Sequence, residues 1–410
     1  MNVANFLARR IAFNQHKSFS RFIIRLSVAA TIVSVTVMIL ALAFTSGFQH
    51  TISKKIFSFW GHVRIQNYEA QRVAIAEETP IFRNDSVVNL KAAYPQITTI
   101  QAYATKNAIL KTAETIEGVL FKGVDESYNF KNLDNFLVKG RWVNFPDSGY
   151  SDEVNLSATM ASKLKLSLND QVLIYFIQPD GKPPRPRKLR VAGIYNTGIE
   201  EYDRLIALCD IRLIQRLNDW APDQIGGYEL FLTDYTLMDQ VSDEIYYEIP
   251  ITYKSSTIKE IYPNIFDWLA LQNKTIIMVL IIMVAIAALN LITCLLILVL
   301  ERTRMVGILK AVGAPDFTIQ QVFLYHGMII LVTGLVVGNV LGLSIAWAQE
   351  QFGFITLPED AYYISKAAVN IEWWQVLAVN AGTILISFLI LLIPTYIIKR
   401  IRPVKAIAFR

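Results

Sequence analysis

The sequence is poor in residues that do chemistry. Only two cysteines occur in 410 residues, Cys209 and Cys294, so no disulfide framework can staple the chain. The four histidines, His16, His50, His62 and His326, are scattered, and neither HExxH nor CxxC is present. A metal site is therefore not expected. No GxxxxGK[ST] stretch occurs, so ATP binding through a Walker motif is excluded. Serine and cysteine nucleophiles have no local signature. The expectation is a protein that is not an enzyme and binds no cofactor of its own.

Charge is missing over long distances. Residues 26–48, 275–300, 317–349 and 373–398 contain no Asp, Glu, Lys or Arg. Each exceeds the ~20 apolar residues that cross a ~30 Å hydrocarbon core. With no acid in these runs, an intramembrane carboxylate relay is not expected. Acids are also absent from both ends. Residues 1–25 carry Arg9, Arg10, Lys17, Arg21 and Arg25, and residues 399–410 carry Lys399, Arg400, Arg402, Lys405 and Arg410. The 350–372 loop has only Lys366 against Glu350, Glu359, Asp360 and Glu372. Positive-inside bias places both termini and the 301–316 loop in the cytoplasm. Between the first two runs, residues 49–272 hold 24 bases and 28 acids, net −4, which argues against nucleic acid as a partner.

The reading is an α-helical membrane protein with four transmembrane helices and a large mixed α/β extracytoplasmic domain between the first and second. The segments are 1–25, a cytoplasmic amphipathic helix; 26–48, the first span; 49–272, the α/β domain with stalk helices; 273–300, the second span; and 301–316, a cytoplasmic helix. The third span, 317–349, a short extracytoplasmic loop, 350–372, the fourth span, 373–398, and a cytoplasmic tail, 399–410, complete the chain. Strands are expected near 62–66, 98–103, 118–122, 172–177 and 189–195, and helices near 158–164 and 211–217.

Four patterns mark candidate functional residues. After the second span comes ERTRMVGILKAVGAP, with apolar Met305, Ile308, Leu309 and Val312 at helical spacing beside Arg302 and Arg304; Gly313 and Pro315 should stop the helix. Phe48, Ile52 and Ile56 continue the first span as an apolar stripe, and Ile261, Ile265 and Leu269 lead back into the second. Such a stripe either packs on its neighbour or lines a path for an apolar substrate. A proline-rich basic stretch, Pro179, Lys182, Pro183, Pro184, Arg185 and Arg187, lies between two expected strands and reads as a stiff hairpin tip. Gly334, Gly338 and Gly342 form a small-residue face for close helix packing.

Several motifs occur together: SGF after the first span, FKGVD (121–125), LVKGRW (137–142), the EVNLSATMASKLKLSLNDQV stretch, VAGIYNTGIEEYD (191–203), PNIFDWLAL and ERTRMVGILKAVGA. On these residues the chain resembles the lipoprotein-releasing permeases of ABC transporters, the LolC/LolE type within the MacB/FtsX superfamily. Many members have an acid where Met305 stands and glycine where Asn169 stands; asparagine also tolerates the left-handed region. The resemblance implies an inner-membrane permease that pairs with a second, identical or sister, permease and with a cytoplasmic ABC ATPase dimer that holds ATP and Mg2+. Residues 301–315 would be the helix coupling to that ATPase. The cargo would be a lipoprotein drawn from the outer leaflet and passed to a periplasmic chaperone, which the 179–188 tip would recruit as a hook. Phe48, Ile52, Ile56, Ile261, Ile265 and Leu269 would border the substrate cavity. An efflux permease of the MacB kind shares this topology but usually carries a fused N-terminal ATPase. An FtsX-like signalling permease usually has a smaller loop domain. An unrelated anchored receptor would not need the 301–315 pattern.

Overall fold

The computed structural model describes residues 19–68, 79–112, 115–178, 182–358 and 362–397. The expected 1–25 surface helix, the 399–410 tail and Pro179 fall wholly or largely outside them. The structure divides into a helical unit and an α/β unit, with the division falling inside two long helices, at His50/Thr51 and Trp268/Leu269.

Among the described residues, four helices are long and apolar enough to cross a membrane. They belong to α1 (Phe19–Trp60), α8 (Pro263–Glu301), α10 (Asp316–Phe352) and α11 (Trp373–Ile397). The first is longer than its apolar run because the stripe beyond Phe48 continues the helical periodicity to Trp60. In the helical unit, glycines let α10 approach α1. A Cβ on Gly334 would stand 2.7 Å from Thr31 Cβ, one on Gly338 2.8 Å from Val35 Cβ, and one on Gly342 3.2 Å from Ile39 Cβ. Small residues are used this way where hydrocarbon removes the hydrophobic drive for association. Polar side chains add cross-links. Asn339 and Asn380 exchange hydrogen bonds of 2.8 and 2.9 Å between α10 and α11, and Asn290 donates to the Ser27 carbonyl at 3.1 Å.

The α/β unit is built on a ten-stranded mixed sheet. Its strands are β1 (Val63–Asn67), β3 (Ile97–Lys111), β4 (Ile116–Val124), β5 (Leu137–Gly140), β6 (Glu153–Ser157), β7 (Gln171–Phe176), β8 (Arg185–Tyr195), β9 (Ile206–Asp210), β11 (Gly227–Leu232) and β12 (Tyr253–Thr257). The order is β12-β1-β11-β3-β4-β9-β6-β8-β5, and β7 pairs with both β3 and β8. The path β3-β4-β9-β6-β8-β7-β3 therefore closes into a hydrogen-bonded ring. The long β3 makes this possible: one edge holds β4, while the other holds β11 at Ile97–Tyr103 and β7 at Ala108–Lys111. A two-residue pair, β2 (Ile81–Phe82) and β10 (Gln224–Ile225), stands apart.

Short helices start where a side chain can satisfy the first free N–H groups. Asn84 caps α2 (Asp85–Ala93), Ser157 caps α3 (Ala158–Lys163), Asp210 caps α5 (Ile211–Leu217) and Thr257 caps α7 (Ile258–Ile261). Two further helices, α4 (Glu200–Leu205) and α6 (Met238–Tyr246), lie between strands. Asn169 adopts φ +68°, the left-handed conformation that its position in the turn after α3 requires.

Candidate functional site

The sequence motifs converge on one region of the α/β unit. Lys122 of FKGVD pairs with Glu229 at 2.8 Å, both side chains fully buried. The same ammonium donates to the Phe59 carbonyl and lies 4.4 Å from the Trp60 ring centroid. Arg64 stacks over Trp60 at 3.8 Å. A buried charge survives when it is both paired and hydrogen-bonded, and Lys122 meets that condition where α1 ends. In LVKGRW, Gly140 has φ +80° and a Cβ there would stand 2.4 Å from the Ala192 carbonyl, so only glycine fits. The next residue, Arg141, grips Glu153 through two bonds of 2.6 and 2.7 Å. Burial pushes the Glu153 carboxyl up, but Arg141, the Asn144 N–H and Arg190 outweigh it and hold it below the usual value. In TGIEEYD, Asp203 accepts from the Thr197 N–H and hydroxyl and from the Gly198 N–H, at 2.9–3.1 Å. Its burial still pushes the carboxyl up. These contacts hold the α/β unit together.

The 301–315 pattern forms α9 (Thr303–Ala311), stopped by Gly313 at φ +90° and by Pro315. Its apolar residues differ in what covers them. Val306 is fully buried, and Met305 and Leu309 pack on the cluster of Leu291, Leu295, Leu298, Ile319 and Phe323. Ile308 is 50% and Val312 83% exposed, on the same side as exposed Arg304; Arg302 precedes the helix, half-buried. Of the residues expected to couple, Arg304, Ile308 and Val312 are the exposed ones, and Met305 and Leu309 are partly buried against the chain's own core. Four-residue spacing places Met305 with Leu309 inward and Ile308 with Val312 outward, each pair one helical turn apart. The missing acid at Met305 fits a side chain that faces its own core.

The apolar stripe is also corrected. Ile52, Ile56, Ile265 and Leu269 are buried, Ile261 and Phe48 half-buried. Most of their surface is consumed by packing within the chain, and Ile261 and Ile265 also border a pocket of about 360 Å³ beside Leu120, Glu201, Tyr202 and Asn264. Open apolar surface lies elsewhere. A groove of about 810 Å³ runs between α1, α8 and α11, with Met38, Leu280, Val284, Ala378, Gly382 and Ile386 among its walls. Sequence reading missed it, because each helix is apolar all round and periodicity cannot say which face is left unfilled.

Above that groove the chain before α11 crosses α1. Glu372 accepts from Ser46 Oγ (3.0 Å), Asn370 Nδ2 (3.5 Å), Trp374 Nε1 (2.7 Å) and Gln375 Nε2 (2.8 Å). Gly47 lets the crossing strand approach, since a Cβ there would stand 2.5 Å from the Ala368 carbonyl. This explains SGF: serine to bond Glu372, glycine to clear the backbone above.

The proline-rich stretch lies at the β7–β8 hairpin, as the flanking strands implied, but the turn is shorter than 179–188. Phe176 pairs with Arg185, so Arg185 through Lys188 belong to β8. Arg185 bonds Asp219 at 2.7 and 3.1 Å and the Leu217 carbonyl at 2.9 Å, which fixes the base of the hairpin to the end of α5. Arg187 is half-buried, and Lys182, Pro183 and Pro184 are exposed.

Long apolar helices, a short helix held between two of them and a mixed α/β domain inserted after the first define a membrane permease with a large extramembrane domain. The family model described as the MacB-like periplasmic core domain matches residues 26–245, and that described as the FtsX-like permease C-terminal matches 277–403. The chain belongs to this MacB/FtsX superfamily of permeases. Among curated proteins it is similar to the lipoprotein-releasing system transmembrane protein LolC of Xylella fastidiosa, 24% identical over 98% of this chain and 97% of that one. It is also similar to the LolE protein of Haemophilus influenzae, 21% identical over the whole of both chains. The periplasmic region of MacB from Actinobacillus actinomycetemcomitans aligns at 13% identity and TM-score 0.34, covering 50% of this chain and 91% of that one.

Proposed function

We propose that the chain is the permease subunit of an ABC transporter that draws lipoproteins from the outer leaflet of the bacterial inner membrane and passes them to a periplasmic chaperone. The observation that carries this reading is α9. It is anchored by Val306, Met305 and Leu309 and leaves Ile308 and Val312 exposed at the end of a membrane helix flanked by bases, a surface suited to a cytoplasmic ATPase dimer carrying ATP and Mg2+. The Lol-named relatives supply the cargo class. A second permease, the same or a sister chain, would complete the transporter, with both termini cytoplasmic. Because α1 and α8 each run uninterrupted from the helical unit into the α/β unit, ATP-driven movement has a continuous path to the extracytoplasmic side.

The test is reconstitution with a candidate ABC ATPase from the same organism. Val312→Asp should abolish permease-stimulated ATP hydrolysis while insertion and folding persist; full stimulation in that variant would overturn the assignment. The hairpin tip is proposed as the chaperone's dock. Deleting Lys182, Pro183 and Pro184 should stop transfer to the chaperone and leave ATP hydrolysis intact. The MacB-like core domain also suits an efflux permease. That reading predicts no lipoprotein release by the reconstituted complex.

A further inference from the structure

We propose that Arg64, Lys122 and Tyr262 are positioning residues that clamp the end of α1 and the start of α8 to one place on the sheet, so that movement of the two helices is passed to the α/β unit. This rests on the permease function proposed above and adds the side chains through which its long helices act.

The joints themselves have little slack. Only Gly61 and His62 separate α1 from β1. Gly61 takes φ +68°, and its N–H closes the last turn of α1 on the Phe57 carbonyl at 2.8 Å. The next N–H, from His62, already bonds the Leu230 carbonyl of β11 at 2.8 Å. The return path starts at the same place. Thr257, the last residue of β12, lies opposite Val63, and the Ile258 N–H bonds the His62 carbonyl at 3.0 Å. After α7, Tyr262 alone precedes α8.

Side chains from three strands then grip both helices. Lys122 of β4 donates to the Phe59 carbonyl in the last turn of α1 and pairs with Glu229 of β11. Arg64 of β1 lies over the Trp60 ring at 3.8 Å and donates to the Tyr262 hydroxyl. One guanidinium, only 3% exposed, therefore touches the end of α1 and the residue that opens α8. Tyr202 of TGIEEYD fills the space between them, with ring centroids 5.4 Å from Phe59, 6.3 Å from Trp60 and 5.8 Å from Tyr262.

Stability alone does not call for charge at this place. Well-packed apolar residues of similar volume are often as stabilising as a buried ionic group. Apolar contact is also non-directional, so it resists sliding weakly. A hydrogen bond weakens steeply once its angle falls below about 120°. Bonds to the Phe59 carbonyl and the Tyr262 hydroxyl therefore hold the two helix ends in register with the sheet, which ring packing by itself does not.

The test uses the full transporter reconstituted in membranes and reads thermal unfolding, ATP hydrolysis, lipoprotein release and amide hydrogen exchange. Tyr262→Phe removes only the hydroxyl and should leave the unfolding temperature unchanged. Arg64→Leu removes the guanidinium. Both should keep stimulated ATP hydrolysis while release falls, by about threefold and about tenfold respectively, the span over which single positions modulate coupling. Amide exchange should quicken at 57–62 and 262–266 and not elsewhere in the α/β unit. Arg64→Lys, which keeps a cation over Trp60, should release better than Arg64→Leu. If Arg64→Leu does not fold, Tyr262→Phe decides alone. Wild-type release by Tyr262→Phe, or a parallel fall of its ATP hydrolysis and release, would overturn the clamp and leave the permease reading intact. Failure of the unmutated complex to release any lipoprotein would overturn both.

Discussion

Lys122 and Glu229 face each other at 2.8 Å across adjoining parts of the sheet, with no solvent reaching either side chain. Lys122 also bonds the last turn of α1 through the Phe59 carbonyl. The pair therefore ties the strands of the α/β unit to the end of the helix that enters it. Removing one member of a buried ion pair leaves the other charge uncompensated and costs roughly 3–5 kcal/mol. Glu229→Leu should lower the thermal unfolding temperature of the purified protein sharply. The double variant Lys122→Met, Glu229→Leu should recover most of the loss. Equal loss in both would mean that the Phe59 bond, not the charge pair, carries the stabilisation.

On α9, helical phase separates two mutations that the sequence treats alike. Leu309→Asp buries a charge in the cluster around Leu295 and Phe323 and should destabilise the helical unit. Ile308→Asp, at a residue 50% exposed, should leave stability within about 0.5 kcal/mol. It should still reduce stimulated ATP hydrolysis. Thermal stability and ATPase rate measured together distinguish the two.

Close approach of α1 and α10 depends on the missing side chain at Gly338. Gly338→Leu forces atoms onto Val35, whose Cβ lies 2.8 Å from the position a Cβ would take, and overpacking of this kind costs about 1–3 kcal/mol. Lower detergent stability is expected. Gly382→Ala meets open space. It should hold or raise stability, since alanine is favoured over glycine in a helix by roughly 0.5–1 kcal/mol. The opposite ranking would remove the packing account of the glycine face.

Acid should weaken the α/β unit through His62. Its ring stacks on Phe57 at 4.4 Å, and its Nδ1 accepts the Leu232 N–H at 3.0 Å. Burial pushes its pKa down to about 4, against a smaller opposing pull from Asp234. The folded state thus favours the neutral ring, and the unfolded state takes up the proton first. Stability from this group is complete above the unfolded value near 6.5 and is lost as pH falls from there to about 4, by at most about 3 kcal/mol. His62→Gln should flatten the unfolding temperature across that range. An unchanged pH slope would assign the acid sensitivity to other groups.

Much of this molecule follows from local chemistry. Uncharged runs longer than a bilayer requires can only be long helices, so the four apolar helices were legible. Helix α5 has the expected 211–217 span, the β7–β8 hairpin lies where turn residues separate two strands, and Asn169 takes the left-handed turn. The motifs that carried the family resemblance were equally visible, because each depends on a few neighbouring residues such as Gly140 and Arg141.

What only the tertiary structure decided is which faces meet. Ile52 and Ile265 look like an open apolar path in sequence but are buried, while the groove beside Gly382 has no sequence signature. Met305 and Ile308 are equally apolar and lie close together on α9, yet Met305 packs on the core while Ile308 is half exposed. Residues 185–188 continue a strand although Pro186 and the three bases around it suggested a tip. The physical reason is common to all three. Hydropathy and periodicity report how much a residue gains by leaving water, whereas the surface that receives it is made by residues remote in sequence. Val35 and Gly338 are 303 positions apart, and their contact decides how α1 and α10 pack.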